Sequence, residues 1–130
     1  MSFILVDYED DKHEVKINAW NWRPTLEIIR TFNLFDEEKL EMLGCNGVGA
    51  SVTTEEAHEI GQRLRDNILP TLKPGERILH DLTITSEPRE PHDFTRSYPP
   101  EESLKIYSAR YEWLKTFSEF CLSSKGFKVG

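Results

Sequence analysis

One hexapeptide, Val52-Thr53-Thr54-Glu55-Glu56-Ala57, constrains the fold of this 130-residue chain more than any other stretch. The Thr53 hydroxyl is placed to accept from the Glu56 N–H, the Glu56 carboxylate to reach back to the Thr53 N–H, and Val52 to staple onto Ala57. A helix starts there. Ala57, Ile60, Gly61, Leu64 and Ile68 line one face, with Glu59, Gln62, Arg63 and Asp66 turned away. This is an amphipathic helix lying on a core, and Pro70 or Pro74 stops it.

The remaining segments are read against that helix. Phe3 to Tyr8 is rich in β-favouring residues, and His13 to Ile17 alternates, with Val15 and Ile17 inward and Glu14 and Lys16 outward. Two antiparallel strands joined by the polar turn Glu9-Asp10-Asp11-Lys12 follow. Pro24 suits the first turn of a helix, where its missing N–H leaves no bond unmade, so a helix is predicted from there to about Phe35. Leu26, Ile29 and Phe32, beside Trp22 and Ile28, form its buried stripe. Asp36 to Leu43 is a short second helix, followed by the Gly-rich loop Gly44 to Gly49. Ile78 to Thr85 reads as one extended strand. Segment 86–100 reads as irregular and mobile, and five of the seven prolines fall between Lys73 and Pro100. A last long helix is predicted from about Glu101, its first acids suiting the positive end of the helix dipole. Its apolar stripe is Ile106, Ala109, Trp113, Phe117, Phe120 and Cys121. Gly126 closes it in the left-handed conformation, and Phe127 to Val129 returns as a short edge strand. The expected architecture is a single α+β domain over 1–130: a small antiparallel sheet, made of the N-terminal hairpin and a C-terminal strand, packed with about three helices.

Composition narrows the function. Sixteen basic against twenty-three acidic residues give a formal charge of −7, the wrong sign for neutralising nucleic-acid phosphates. No stretch approaches the roughly 20 apolar residues that cross a bilayer, and the FILV run is too short, and too soon followed by acids, for a signal peptide. A cytoplasmic protein with no nucleic-acid or membrane partner is expected. Cys45 and Cys121 lack CxxC spacing, so reduced thiols are expected rather than a disulfide or a structural zinc.

No motif assembles a catalytic set. Gly44-Cys45-Asn46-Gly47-Val48-Gly49 lacks the order of a phosphate-cradling loop, and Glu55 with Glu56 opposes an anion at the helix that follows. A turn with positive φ at Asn46-Gly47 accounts for it. Cys45 with His58, and Cys121 with His80, are pairs on paper only, and on an apolar stripe the Cys121 pKa would rise. His80-Asp81 and His92-Asp93 repeat a His-Asp pair that offers nitrogen and oxygen ligands, the basis of an alternative reading as a small metal-dependent hydrolase. No HExxH or HxH accompanies them, so no cofactor and no metal is expected. Recognition is the better reading, with a structural or regulatory subunit as the remaining alternative. Trp20, beside the acids Asp36, Glu37, Glu38 and Glu41, is the candidate anchor for a basic protein partner.

Two blocks carry a resemblance. Asn46-Gly47 with Val52-Thr53-Thr54-Glu55-Glu56-Ala57, Ile60 and Leu64 is similar to the NG…VTxEEA helix start of a group of small uncharacterised bacterial proteins. Leu114, Phe117, Phe120-Cys121, Gly126-Phe127 and Val129 resemble their FxxFC…GFxV ending, and Trp22 fits the tryptophan opening their first helix. The likeness covers about half the chain, and the insertion Gly49-Ala50-Ser51 departs from it. It implies no catalytic residues; some small acidic bacterial proteins of this kind are immunity proteins that protect a cell from a secreted toxin.

Overall fold

The computed structural model describes residues 2–45, 48–87 and 107–130. They form an α+β fold in which four helices pack with two small antiparallel sheets. The first sheet has the order β2-β1-β7-β3, with β1 Ser2–Asp7, β2 Glu14–Asn18, β3 Ser51–Val52 and β7 Phe127–Val129. The N-terminal hairpin is as expected, in the register Phe3↔Ile17 and Leu5↔Val15. The C-terminal strand is not an edge. It pairs with β1 on one side and β3 on the other, because Phe127 and Val129 are buried and an interior position satisfies both backbone edges.

Helix α1 spans Ala19–Arg30 and α2 spans Glu37–Leu43. The start of α1 corrects the expectation from Pro24. Asn18 is the cap, its Oδ1 accepting from the Asn21 N–H, so the helix follows β2 directly and Pro24 lies inside it. A cap at the strand end outweighs one lost helical hydrogen bond, and Pro24 is itself buried. The helix also ends earlier than Phe35, because Asn33 turns left-handed with φ 57°, a conformation asparagine tolerates better than most residues.

Helix α3, Thr54–Arg63, begins with the full capping box, Thr53 N–H to Glu56 at 2.9 Å and Glu56 N–H to Thr53 at 3.2 Å. It continues through a π-helical turn, Leu64–Ile68, and a 3₁₀ turn, Leu69–Thr71. Gly61 allows it to touch the last helix: a Cβ there would meet Leu122 Cγ at 2.7 Å, and the Gly61 carbonyl accepts from Ser118 Oγ at 2.8 Å.

The predicted Ile78–Thr85 strand is instead a hairpin of the second sheet, whose order is β5-β4-β6, with β4 Arg77–Leu79, β5 Ile84–Thr85 and β6 Ser108–Arg110. His80 and Asp81 sit in its turn, where Leu82 takes φ 73° and Leu79 N–H donates to Thr83 O. Helix α4 begins at Tyr111 rather than Glu101. Ser108 and Ala109 pair with Leu79 and Ile78, and this long-range pairing overrides helix continuation. Glu101, Glu102, Ile106, Asn46-Gly47 and the part of segment 86–100 from 88 onward lie outside the described residues. Gly126 is left-handed, φ 87°, but α4 closes earlier, at an extended Ser124. The glycine serves a close approach, since a Cβ would lie 2.6 Å from the Val52 carbonyl oxygen.

The core is aromatic. Trp22 is 1% exposed and meets Phe117 edge-on at 5.5 Å, with Phe3 and Trp113 at 6.2 and 6.5 Å. A polar seam fixes α4 against α1: Trp113 Nε1–H donates to Thr25 Oγ1, Thr25 Oγ1–H to the Asn21 carbonyl, and Arg110 N–H to Asn21 Oδ1. Each buried polar atom of this seam therefore has a partner, as burial requires.

Candidate functional site

The opposite side of α1 is open. Between α1 and α2 lies a cleft of about 520 Å³ lined by Arg23, Leu26, Glu27, Arg30, Glu37, Leu40, Glu41, Gly44, Cys45 and His80. Helical spacing builds its walls. Arg23, Glu27 and Arg30 continue the stripe begun by Trp20 on α1, and Glu37, Leu40, Glu41 and Gly44 form one stripe along α2 and its cap. Trp22 holds the walls together from behind, its Nε1–H donating to the Leu43 carbonyl at 2.9 Å.

Charges inside the cleft are partly paired. The Arg30 guanidinium is gripped from both walls, Nε and Nη2 donating to Glu27 at 3.1 and 3.4 Å and Nη1 to Glu37. The Glu37 and Glu27 hydrogen bonds raise Arg30 further above its ordinary pKa. Glu41 and Arg23, both exposed, make no ion pair among the described residues. His80 stands at the cleft with Nε2 4.0 Å from Glu27 and its ring edge-on to Tyr107, while its buried Nδ1 has no hydrogen-bond partner among the described residues.

The structure therefore brings together part of the expected recognition set. Glu37 and Glu41 line the cleft. Trp20 heads the α1 stripe, half-buried against Tyr107 at 4.9 Å. Asp36 caps α2 through the Lys39 N–H at 2.8 Å, and Glu38 is exposed on another side of the helix. Glu27, Arg23 and Arg30 are functional candidates that reading the sequence for acidic clusters missed. Their signal was present as the three charged residues of α1, spaced four and three apart, and placing the helix start at Pro24 hid Arg23 among them.

The other reactive groups are dispersed. Cys45 shares its cleft with His80, not with His58, whose Nε2–H donates to the Ser124 carbonyl at 3.2 Å. Cys121 is fully buried, and burial pushes its thiol pKa well up, as its place on an apolar stripe implied. His92 lies outside the described residues, and among the described residues no group of three His, Cys, Asp or Glu side chains is set to hold a metal ion.

A second constellation has the spacing of a catalytic triad. His13 Nδ1 is 2.8 Å from Asp7 Oδ2, and its Nε2 is 3.3 Å from Ser123 Oγ. Burial opposes the Asp7 charge, but the Glu9 N–H, His13 and the Lys125 N–H outweigh it and lower the Asp7 pKa. Ser123 argues against nucleophilic chemistry. It lies in the last turn of α4, where its hydroxyl donates to the Glu119 carbonyl at 2.9 Å and the negative end of the dipole opposes a developing oxyanion. The three residues fasten the β1–β2 turn to the end of α4.

No family model, curated protein or solved structure matches the chain. No helix among the described residues is long and apolar enough to cross a membrane.

Proposed function

We propose that this chain is a partner-binding protein that recognises a basic surface of another protein through the face built by α1 and α2. The observation that carries the reading is the convergence of Glu27, Glu37 and Glu41 on one open cleft, with Glu38 and Asp36 exposed beside it. Within the cleft these three carboxylates face two arginines, one of them already engaged, and beside it Asp36 and Glu38 face Lys39, so the face as a whole keeps a negative excess. An excess of one sign at a cleft raises the local concentration of an oppositely charged partner and accelerates encounter. The −7 formal charge of the chain acts in the same direction. In its most specific form the role is that of an immunity protein, which blocks a basic toxin domain by covering it; the sequence resemblance supports that form.

Affinity capture from the producing cells, with wild type and a Glu37→Lys/Glu38→Lys/Glu41→Lys variant as paired baits, tests the reading. A partner retained by wild type, released by salt and lost by the variant is expected. Equal recovery on both baits would remove the α1–α2 face from consideration. Co-expression with a basic toxin-like partner, scored for growth, tests the immunity form.

A further inference from the structure

We propose that the cleft between α1 and α2 is an arginine-selective pocket, taking a single arginine side chain of the partner; this rests on the partner-binding reading above. Three features meet there. The first is shape and lining: an open cavity of about 520 Å³ whose walls include Leu26 and Leu40, each under a tenth exposed, below a charged rim. An apolar floor under carboxylates suits a long side chain that packs its methylene stem while its charged head stays at the polar edge.

The second is that the cavity already holds a guanidinium, the chain's own. Glu27 of α1 meets Nε and Nη2 of Arg30, and Glu37 of α2 meets Nη1, so carboxylates from both walls engage all three nitrogens of the planar fork. This is the arrangement that favours guanidinium over ammonium, because the fork matches carboxylate geometry and is less strongly hydrated. The third is a remaining acceptor. Glu41 lies one turn beyond Glu37 on the same stripe, exposed and without an ion pair among the described residues. An incoming arginine is received by Glu41 and shares or takes Glu37 from Arg30. Arg30 is then a resident competitor that occupies Glu27 and Glu37 while the pocket is empty. Arg23, also in the lining, repels a second cation, so the pocket reads one arginine rather than a polybasic run.

The test is a titration of the intact chain followed by the backbone amide signals of residues 23–30 and 37–45. The probes are three blocked tripeptides, acetyl-Gly-X-Gly-amide with X arginine, lysine or citrulline, citrulline being the neutral isostere of arginine. The arginine peptide is expected to shift these signals with millimolar affinity, lysine more weakly, and citrulline not at all. Glu41→Gln should weaken arginine binding about fivefold, the scale of one exposed ion pair. Arg30→Ala, which frees Glu27 and Glu37, should tighten it. Equal shifts with arginine and either lysine or citrulline, shifts mapping elsewhere, or indifference to Glu41→Gln would each overturn the pocket. If the tripeptides fail while the charge-reversed bait still loses its partner, the arginine pocket falls and the partner-binding reading stands. If that bait keeps its partner, the reading itself fails.

Discussion

The two faces of α1 are built to opposite specifications from alternating residues of one helix. On the inner face, Trp22, Ile28 and Ile29 are buried, and the polar groups among them, Asn21 and Thr25, are tied by hydrogen bonds to α4 and its leading strand. On the outer face, Trp20, Arg23, Glu27 and Arg30 stay partly or wholly exposed, and the helix opposite them contributes carboxylates instead of side chains that would close the gap. Apolar burial of the inner face gives stability in proportion to area. Exposed ion pairs contribute little, so the charges of the outer face are not there to hold the fold. A protein tolerates an open, charged cleft at the surface when the wall behind it is rigid, and Trp22 makes it so by bonding to the end of α2.

This contrast breaks first at Trp22. Trp22→Ala removes an almost wholly buried ring and leaves the Leu43 carbonyl without its donor, so a loss of about 3–5 kcal/mol is expected in chemical denaturation. A loss below about 1 kcal/mol would mean that the inner face does not carry the stability assigned to it.

The fastening at the far end of α4 sharpens the comparison, because there a charge is buried instead of displayed. Asp7→Ala takes away the acceptor of the Glu9 and Lys125 N–H groups and the partner of His13 Nδ1, and a cost of about 1–3 kcal/mol follows. The pH dependence has a definite sign. The Asp7 carboxyl is held below its ordinary value of 3.8, so its contribution is complete above that value and is lost as pH falls through the lower folded-state value. Melting temperatures measured between pH 6 and 2 should fall more steeply in wild type than in Asp7→Asn. Parallel curves would show that Asp7 does not couple to stability. The smallest effect is expected at Thr53→Ala, which removes one half of the capping box on α3 and should cost about 1 kcal/mol with no change at the cleft.

Local chemistry made some elements legible and left others hidden. The capping box at Thr53, the N-terminal hairpin, the short helix after Asp36, and the burial of Trp113, Phe117, Phe120 and Cys121 all depend on neighbours within a few residues, and the structure agrees at each. The start of α1 was misread because Pro24 signals a first turn more loudly than Asn18 signals a cap. The second sheet was unreadable, because Arg77–Leu79 and Ser108–Arg110 are short and pair across some thirty intervening residues. Of the recognition set, the acids of α2 were visible as a cluster, but the cleft that collects Glu37 and Glu41 and leaves Glu38 and Asp36 outside was not.

By itself, then, the sequence determined the centres of the helices though not where α1 and α4 begin, which of their faces are apolar, and that the chain carries an excess of negative charge. Tertiary structure alone decided that Phe127–Val129 lies inside a sheet, that Arg30 is shared between two helices, and that Cys45 and His80 line the same cleft. The reason is range. Caps, turns and amphipathic periods are set by contacts a few residues apart, whereas a cleft exists only where distant segments pack closely enough to meet at their edges and not closely enough to fill the space between them.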